Sequence, residues 1–321
     1  MNLSEIIVFL ILLLIALVYH RLAIRFGIVD KPNHRSSHSQ VTVRGGGILF
    51  PAAVVLWWFA YDFQHTWMVL GLVGISVVSL LDDIYTLSSR VRFGAQFVAL
   101  TFAFHDLDIF NQVDWYILPI LYFISLGIIN AINFMDGING ITGLYALVFF
   151  GSLLAVDTYL QLFLPHLIQY EILAIFVFLI FNLRKKALMF AGDIGSISIA
   201  YLMIYFLLQW YLVAQSWTII LFLAIFGIDA FLTLLERWRK KENLLEPHRS
   251  HFYQLLANQG KKDQVMIALA YAILQLIINF GLFIYPQHTP NPYLGAILLI
   301  AIGGAYIFAK RTLLKKFERQ L

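Results

Sequence analysis

The sequence predicts an all-α, polytopic membrane protein with about eleven membrane-spanning helices, its N-terminus outside and its C-terminus in the cytoplasm. Three observations predict this. The 321-residue chain is 61% hydrophobic and only 12% charged, whereas a soluble domain is about half apolar and about a quarter charged. Apolar stretches recur along the whole length, near 3–22, 45–61, 67–81, 93–105, 115–132, 141–163, 170–183, 194–210, 217–236, 265–285 and 293–309. Most approach the roughly 17–25 residues that a span requires. Finally, the 22 Lys and Arg residues fall only in alternate connections or at the span ends beside them.

Taken in order, the connections 23–44, 82–92, 133–140, 184–193, 237–264 and the tail 310–321 carry all the basic residues but Arg21, which sits at the span end beside the first. The connections 62–66, 106–114, 164–169, 211–216 and 286–292 carry none. Basic loops stay in the cytoplasm, so the first set is expected inside. The third, fourth and seventh stretches are short. The first lacks a basic leader and a small-residue cleavage site, and reads as a retained span. The acids Asp62, Asp106, Asp108, Asp114, Asp157 and Glu171 lie in or near the outer turns and read as solvated loop residues. His65, His105, His166 and His288 read as interfacial. There is no cysteine, which excludes disulfides and thiolate metal sites. No loop is long enough for a soluble domain, so residues 1–321 form one integral membrane domain. No nucleic-acid partner is expected.

Five stretches could carry chemistry, and all fall in the basic set of connections. The first loop holds Lys31, Arg35, His38 and Arg44, then Gly45-Gly46-Gly47. Those glycines could leave backbone N–H groups facing an anion. The plainer reading is a basic loop held to anionic lipid. Asp82 and Asp83 end a span just before Arg90 and Arg92. Adjacent helical residues point about 100° apart, so one acid could face a metal and its neighbour a second substrate. Hard cations such as Mg²⁺ take carboxylate oxygens and keep phosphates and waters as other ligands. Asn130, Asn133, Asp136 and Asn139, with Gly137, Gly140 and Gly143, sit where one apolar run ends and the next begins. Polar groups there are costly unless they face water or a ligand. Asn182 precedes Phe190, Gly192, Asp193 and Gly195, and Asp193 would suit the N-cap of the following helix. His248, Arg249 and His251 follow Arg237 and could bind a pyrophosphate. Without Cys or an HExxH pattern, zinc is the weaker reading of the two histidines. Acids, arginines and glycines on one membrane face imply a magnesium-dependent enzyme that acts on a phosphorylated substrate.

These motifs, in this order, resemble the polyprenyl-phosphate N-acetylhexosamine-1-phosphate transferases of glycosyltransferase family 4. The quoted pattern is Pro32-Asn33 with Arg35-Ser36-Ser37-His38 and the glycine triplet, then Asp82-Asp83, Asn130 to Gly140, Gly192 to Ser196, and the His-rich loop. The resemblance covers nearly the whole chain. It implies eleven spans, a multi-pass protein of the bacterial cytoplasmic (inner) membrane, and an active site on the cytoplasmic face. The substrates it implies are undecaprenyl phosphate and a UDP-N-acetylhexosamine, with Mg²⁺ as cofactor and Mn²⁺ as a substitute. The donor sugar is left open among GlcNAc, QuiNAc and FucNAc, and a homodimer is left open too.

The resemblance also implies residue roles. Asp82, Asp83, Asp136, His248, Arg249 and His251 are expected to be catalytic. Asp193 and Asp83 are expected to hold the metal. Asn133, Asn139, Asn182, Phe190, Arg90, Arg92, Arg35 and Arg44 are expected to bind substrate, with Asn182 and Phe190 at uracil. The His248-Arg249-Ser250-His251 sequence departs from the three-His motif of the muramoyl-pentapeptide branch and resembles the branch that initiates O-antigen. The alternative is a transporter or flippase, which would place polar residues at mid-membrane and on both sides. Their clustering at cytoplasmic ends favours the enzyme.

Overall fold

The computed structural model describes residues 3–30, 41–243 and 249–318. Within them the chain is a helical bundle with one two-stranded ladder, Val29–Asp30 (β1) against Thr42–Val43 (β2), antiparallel. The main helices are α1 (Leu3–Phe26), α2 (Leu49–Ala60, entered through a 3-10 turn at Gly46–Ile48), α3 (Thr66–Tyr85) and α4 (Ser89–Asp106). A short α5 (Ile109–Gln112) leads to α6 (Leu118–Met135), α7 (Ile141–Leu160), α8 (Pro165–Asn182) and α9 (Gly192–Ala214). Then follow α10 (Ala224–Arg239, preceded by 3-10 turns at Trp217–Leu223), α11 (Phe252–Gln254), α12 (Gln264–Asn279) and α13 (Pro292–Glu318).

Among the described residues, nine helices are long and apolar enough to cross a membrane. The chain is thus an all-α, multi-pass membrane protein. The other two of the eleven expected stretches are also helical. Gly46–Ala60 is too short to qualify, and α4 is less apolar because it carries Arg90, Arg92 and Asp106. Local chemistry sets several ends. Proline occupies the first turn of α6 and of α8, where its missing N–H has no helical partner to lose. Asp263 caps α12 by accepting from Met266 N at 3.2 Å.

The core is built round α9, which packs on α2, α3, α6 and α7 and is buried over 72% of its apolar window, against 6% for the last helix. A helix apolar all round belongs at such a centre. The irregular backbone before α10 is satisfied by Gln275 of α12. Its amide donates to Leu221 O at 2.9 Å and accepts from Ile225 N at 3.0 Å. Within a bilayer, non-helical backbone persists only where protein supplies such partners.

Three sequence expectations change here. Asp106 is not a solvated loop residue: its side chain is 5% exposed and accepts from Tyr205 OH at 2.7 Å and Met68 N at 3.4 Å. Glu171 is not a solvated outer residue: it is 1% exposed within α8, and neither carboxyl oxygen has a partner among the described residues. The helix extends five residues further than its apolar run and carries Glu171 into the bundle. Nor do Gly46 and Gly47 of the first loop turn their amides to a ligand. Gly46 N donates to Phe190 O at 2.8 Å and Gly47 N to Ala191 O at 3.0 Å. A Cβ on Gly47 would overlap the Cα of Gly195, so the triplet lets the entrance of α2 lie directly on the entrance of α9.

Candidate active site

The acids of three separate stretches meet at one end of the bundle, where α3 and α6 end and α4 and α9 begin. Asp83, in the last turn of α3, reaches across to α9. Its Oδ1 accepts from Asp193 N at 3.0 Å and its Oδ2 from Ile194 N at 3.2 Å. Arg44 Nε lies 3.1 Å from Asp83 Oδ1, and the Asp83 side chain is fully buried. The cap of α9 is therefore Asp83, a residue from another helix, rather than Asp193. A carboxylate on two terminal N–H groups, at the positive end of the helix dipole, is a favourable arrangement. Gly192, at φ 72°, leaves room for it, because a Cβ there would strike Asp83 Oδ2.

Asp82 points elsewhere. It accepts from Leu87 N, which closes the turn into α4, and its Oδ2 lies 3.3 Å from Arg92 Nη1. Its carboxyl also faces that of Asp193. Asn133, in the last turn of α6, donates to Asp193 Oδ1 at 3.0 Å and to Ser196 Oγ at 2.9 Å, which fixes the orientation of the Asp193 carboxyl. Asp136 follows α6 and accepts from Thr142 Oγ1 at 2.6 Å. Burial pushes the Asp136 carboxyl up to about 6; the Thr142 hydrogen bond opposes this, Asp193 adds to it, and Arg44 opposes it.

The remaining expected residues divide. Asn139 and Asn182 are buried, and their amides are engaged with backbone. Asn139 Nδ2 donates to Arg184 O at 2.8 Å, while Asn182 accepts from Gly140 N at 2.7 Å and donates to Met189 O at 2.8 Å. They knit the central loop to the 183–190 loop. Phe190 is half-buried, and its backbone N–H donates to Val43 O at 2.8 Å. Arg90 is exposed at the start of α4. Arg249 has an Nη2 that is buried without a partner among the described residues. His251 is buried, with Nδ1 3.3 Å from Asp229. Arg35 and His248 lie outside the described residues. Asp229 itself escaped the sequence reading because it stands alone in an apolar run, with no neighbouring motif to mark it.

A metal site can be tested against this geometry. Among the described residues, no three His, Cys, Asp or Glu side chains are grouped to hold an ion. Two carboxyl groups that face one another, as those of Asp82 and Asp193 do, repel unless a proton or a cation lies between them. Mg²⁺ commonly takes only one or two carboxylates and completes its shell with water and substrate phosphate. The Asp82–Asp193 pair fits that demand. Asp83 has both oxygens on the α9 backbone.

Known proteins resemble this chain over most of its length. Residues 65–211 match the model of the family described as glycosyl transferase family 4. The chain is 30% identical over 305 residues to the undecaprenyl-phosphate alpha-N-acetylglucosaminyl 1-phosphate transferase of Salmonella typhi, covering 85% of this chain and 82% of the relative. It is 28% identical over 302 residues to the protein of the same name from Escherichia coli K12, covering 84% and 81%. It is also 28% identical over 287 residues to a probable undecaprenyl-phosphate N-acetylglucosaminyl 1-phosphate transferase of Bacillus subtilis, covering 82% and 79%. With similarity of that extent on both sides, and with the acids of its separated motifs gathered at one site, the chain belongs to glycosyl transferase family 4.

Proposed function

We propose that the protein transfers an N-acetylhexosamine 1-phosphate from a UDP-sugar to undecaprenyl phosphate, releasing UMP. A lipid-phosphate oxygen attacks the β-phosphorus of the donor. The new P–O bond forms as the bond to the bridging oxygen breaks, and UMP leaves with that electron pair. The observation that carries this reading is the convergence of Asp82, Asp193, Asp136 and Asn133, with Arg44 and Arg92 at the rim. Phosphoryl transfer relies mainly on positioning and charge neutralisation, which such a set supplies. Mg²⁺ held by Asp193 and Asp82 would neutralise the pyrophosphate and ease departure of UMP. Asn133 orients Asp193. Arg44 and Arg92, each about two-fifths exposed, can turn from their carboxylates to arriving phosphates. Asn139 and Asn182 act by holding the loop that presents Phe190 to the base.

The names of the relatives favour GlcNAc over QuiNAc and FucNAc as the donor sugar, and the product would start O-antigen or another envelope polysaccharide. The site then faces the cytoplasm, with eleven spans and the N-terminus outside. The test is UMP release by the purified protein given UDP-GlcNAc, undecaprenyl phosphate and Mg²⁺. UMP should appear only with all three present. A panel with UDP-QuiNAc, UDP-FucNAc and UDP-muramoyl-pentapeptide ranks the donors by kcat/KM. No UMP from any donor would refute the reading, and preference for the pentapeptide donor would move the protein to the other branch.

A further inference from the structure

Among the described residues, Asp229 is the carboxylate outside the site with the most hydrogen-bond partners. It lies in α10, 1% exposed. Oδ1 accepts from Phe252 N at 3.0 Å, Tyr306 OH at 2.8 Å and Thr233 Oγ1 at 3.3 Å, and faces His251 Nδ1 at 3.3 Å. Oδ2 accepts from Tyr271 OH at 2.6 Å. Donors from α10, α12, α13 and the segment before α11 thus converge on one side chain. An ionisable residue in a membrane helix is expensive, and survives where it is paired and used.

What the carboxylate holds leads back to the site. The Phe252 N–H and the His251 ring tie Asp229 to the segment 249–254, which carries Arg249. The next residue, Tyr253, donates its hydroxyl to Phe134 O at 2.9 Å. That hydroxyl also occupies the space a Cβ would need at Gly137. Phe134 and Gly137 bracket Asp136. The His251 ring lies between, 6.3 Å from the Phe134 ring and 5.9 Å from that of Tyr253. A single buried carboxylate therefore sets the seat of two loops, one with a buried guanidinium nitrogen that has no partner among the described residues, the other with an acid of the active site.

We infer that Asp229 is a positioning residue for the transfer reaction. Through His251 and the Phe252 backbone it seats the segment carrying Arg249, and through Tyr253 it seats the loop carrying Asp136. This rests on the sugar-1-phosphate transfer reading. Partners that orient an active-site group without touching substrate commonly cost 10–100-fold when removed, and small misplacements act mainly on the chemical step.

The experiment uses the full-length protein and UMP release from UDP-GlcNAc and undecaprenyl phosphate, with melting temperature as a second readout. Asp229→Asn keeps the volume and loses the charge. It should lower kcat by about 10–100-fold, leave KM for both substrates within about threefold, and keep a single melting transition. His251→Gln should do the same, and the double variant should be no slower than the slower single one, because both act through one contact. Tyr306→Phe removes one donor and leaves the His251 contact, so it should stay within about threefold of the parent kcat. Should Asp229→Asn not fold, Asp229→Glu is held to the same kcat and KM test. An unchanged kcat in the Asp229 variant, losses that multiply in the double variant, or an equal loss in Tyr306→Phe would each overturn the inference. If the parent releases no UMP, the transfer reading fails, and this inference with it. An active parent with an equally active Asp229 variant removes the inference alone.

Discussion

At the residue scale, the facing carboxyls of Asp82 and Asp193 invite a direct test. Anything that binds only the folded protein raises its melting temperature with concentration. Millimolar Mg²⁺ should therefore raise the melting temperature of the parent by a few degrees and leave Asp193→Asn unmoved. Asp193→Asn should also lose turnover by at least about 10²-fold, as removal of a transition-state charge partner does. A Mg²⁺ shift retained in that variant would place the ion elsewhere. Glu171 supplies the converse case. A buried carboxyl without partners costs roughly 1–3 kcal/mol, and an apolar side chain of similar volume removes that cost. Glu171→Met should raise the melting temperature by a few degrees without changing UMP release. A lower melting temperature would mean that the carboxyl has a stabilising role its surroundings do not reveal.

At the scale of elements, the entrance of α9 is where backbone, glycine and acid depend on one another. Gly192 takes a left-handed conformation and its missing side chain makes room for Asp83, which caps the helix. Gly192→Ala would meet both penalties, the backbone alone costing about 1–2 kcal/mol. It should lower the melting temperature by several degrees and UMP release by more than about tenfold. Gly127→Ala, in α6, where an added Cβ meets nothing, is the matched control and should behave like the parent. If both variants behave alike, the Asp83 cap is not what orders the start of α9.

At the scale of the whole molecule, the basic residues and the site occupy the same connections, so topology and function stand together. The cysteine-free sequence permits single reporters at exposed positions. Cysteines at Gln64 and Gln287 should react with an impermeant label added outside intact cells, and one at Asn243 should not. A reversed result at any of the three would break the eleven-span arrangement and move the acids to the outer face.

The sequence by itself determined the fold class, the approximate span ends and the sharing of one set of connections by acids and arginines. Each of these is local, readable from hydropathy and charge along the chain. It also marked Asp82, Asp193, Asn133 and Asp136, because polar residues at the ends of apolar runs stand out. Tertiary structure alone decided how those groups are used. Asp83 caps a helix that begins 109 residues later, and no pattern within a span records that partner. The glycine triplet proved to be a packing contact because its neighbour, Gly195, comes from another helix. Asn139 and Asn182 were legible as polar, but their backbone partners were not. Glu171 and Asp229 show the same limit from two sides. Each is one acid in an apolar run, equally inconspicuous in sequence. One is buried without a partner among the described residues, and the other is bonded by three helices and a loop. The cost of burying a charge depends on the donors that surround it, and only the packing of the helices assembles those donors.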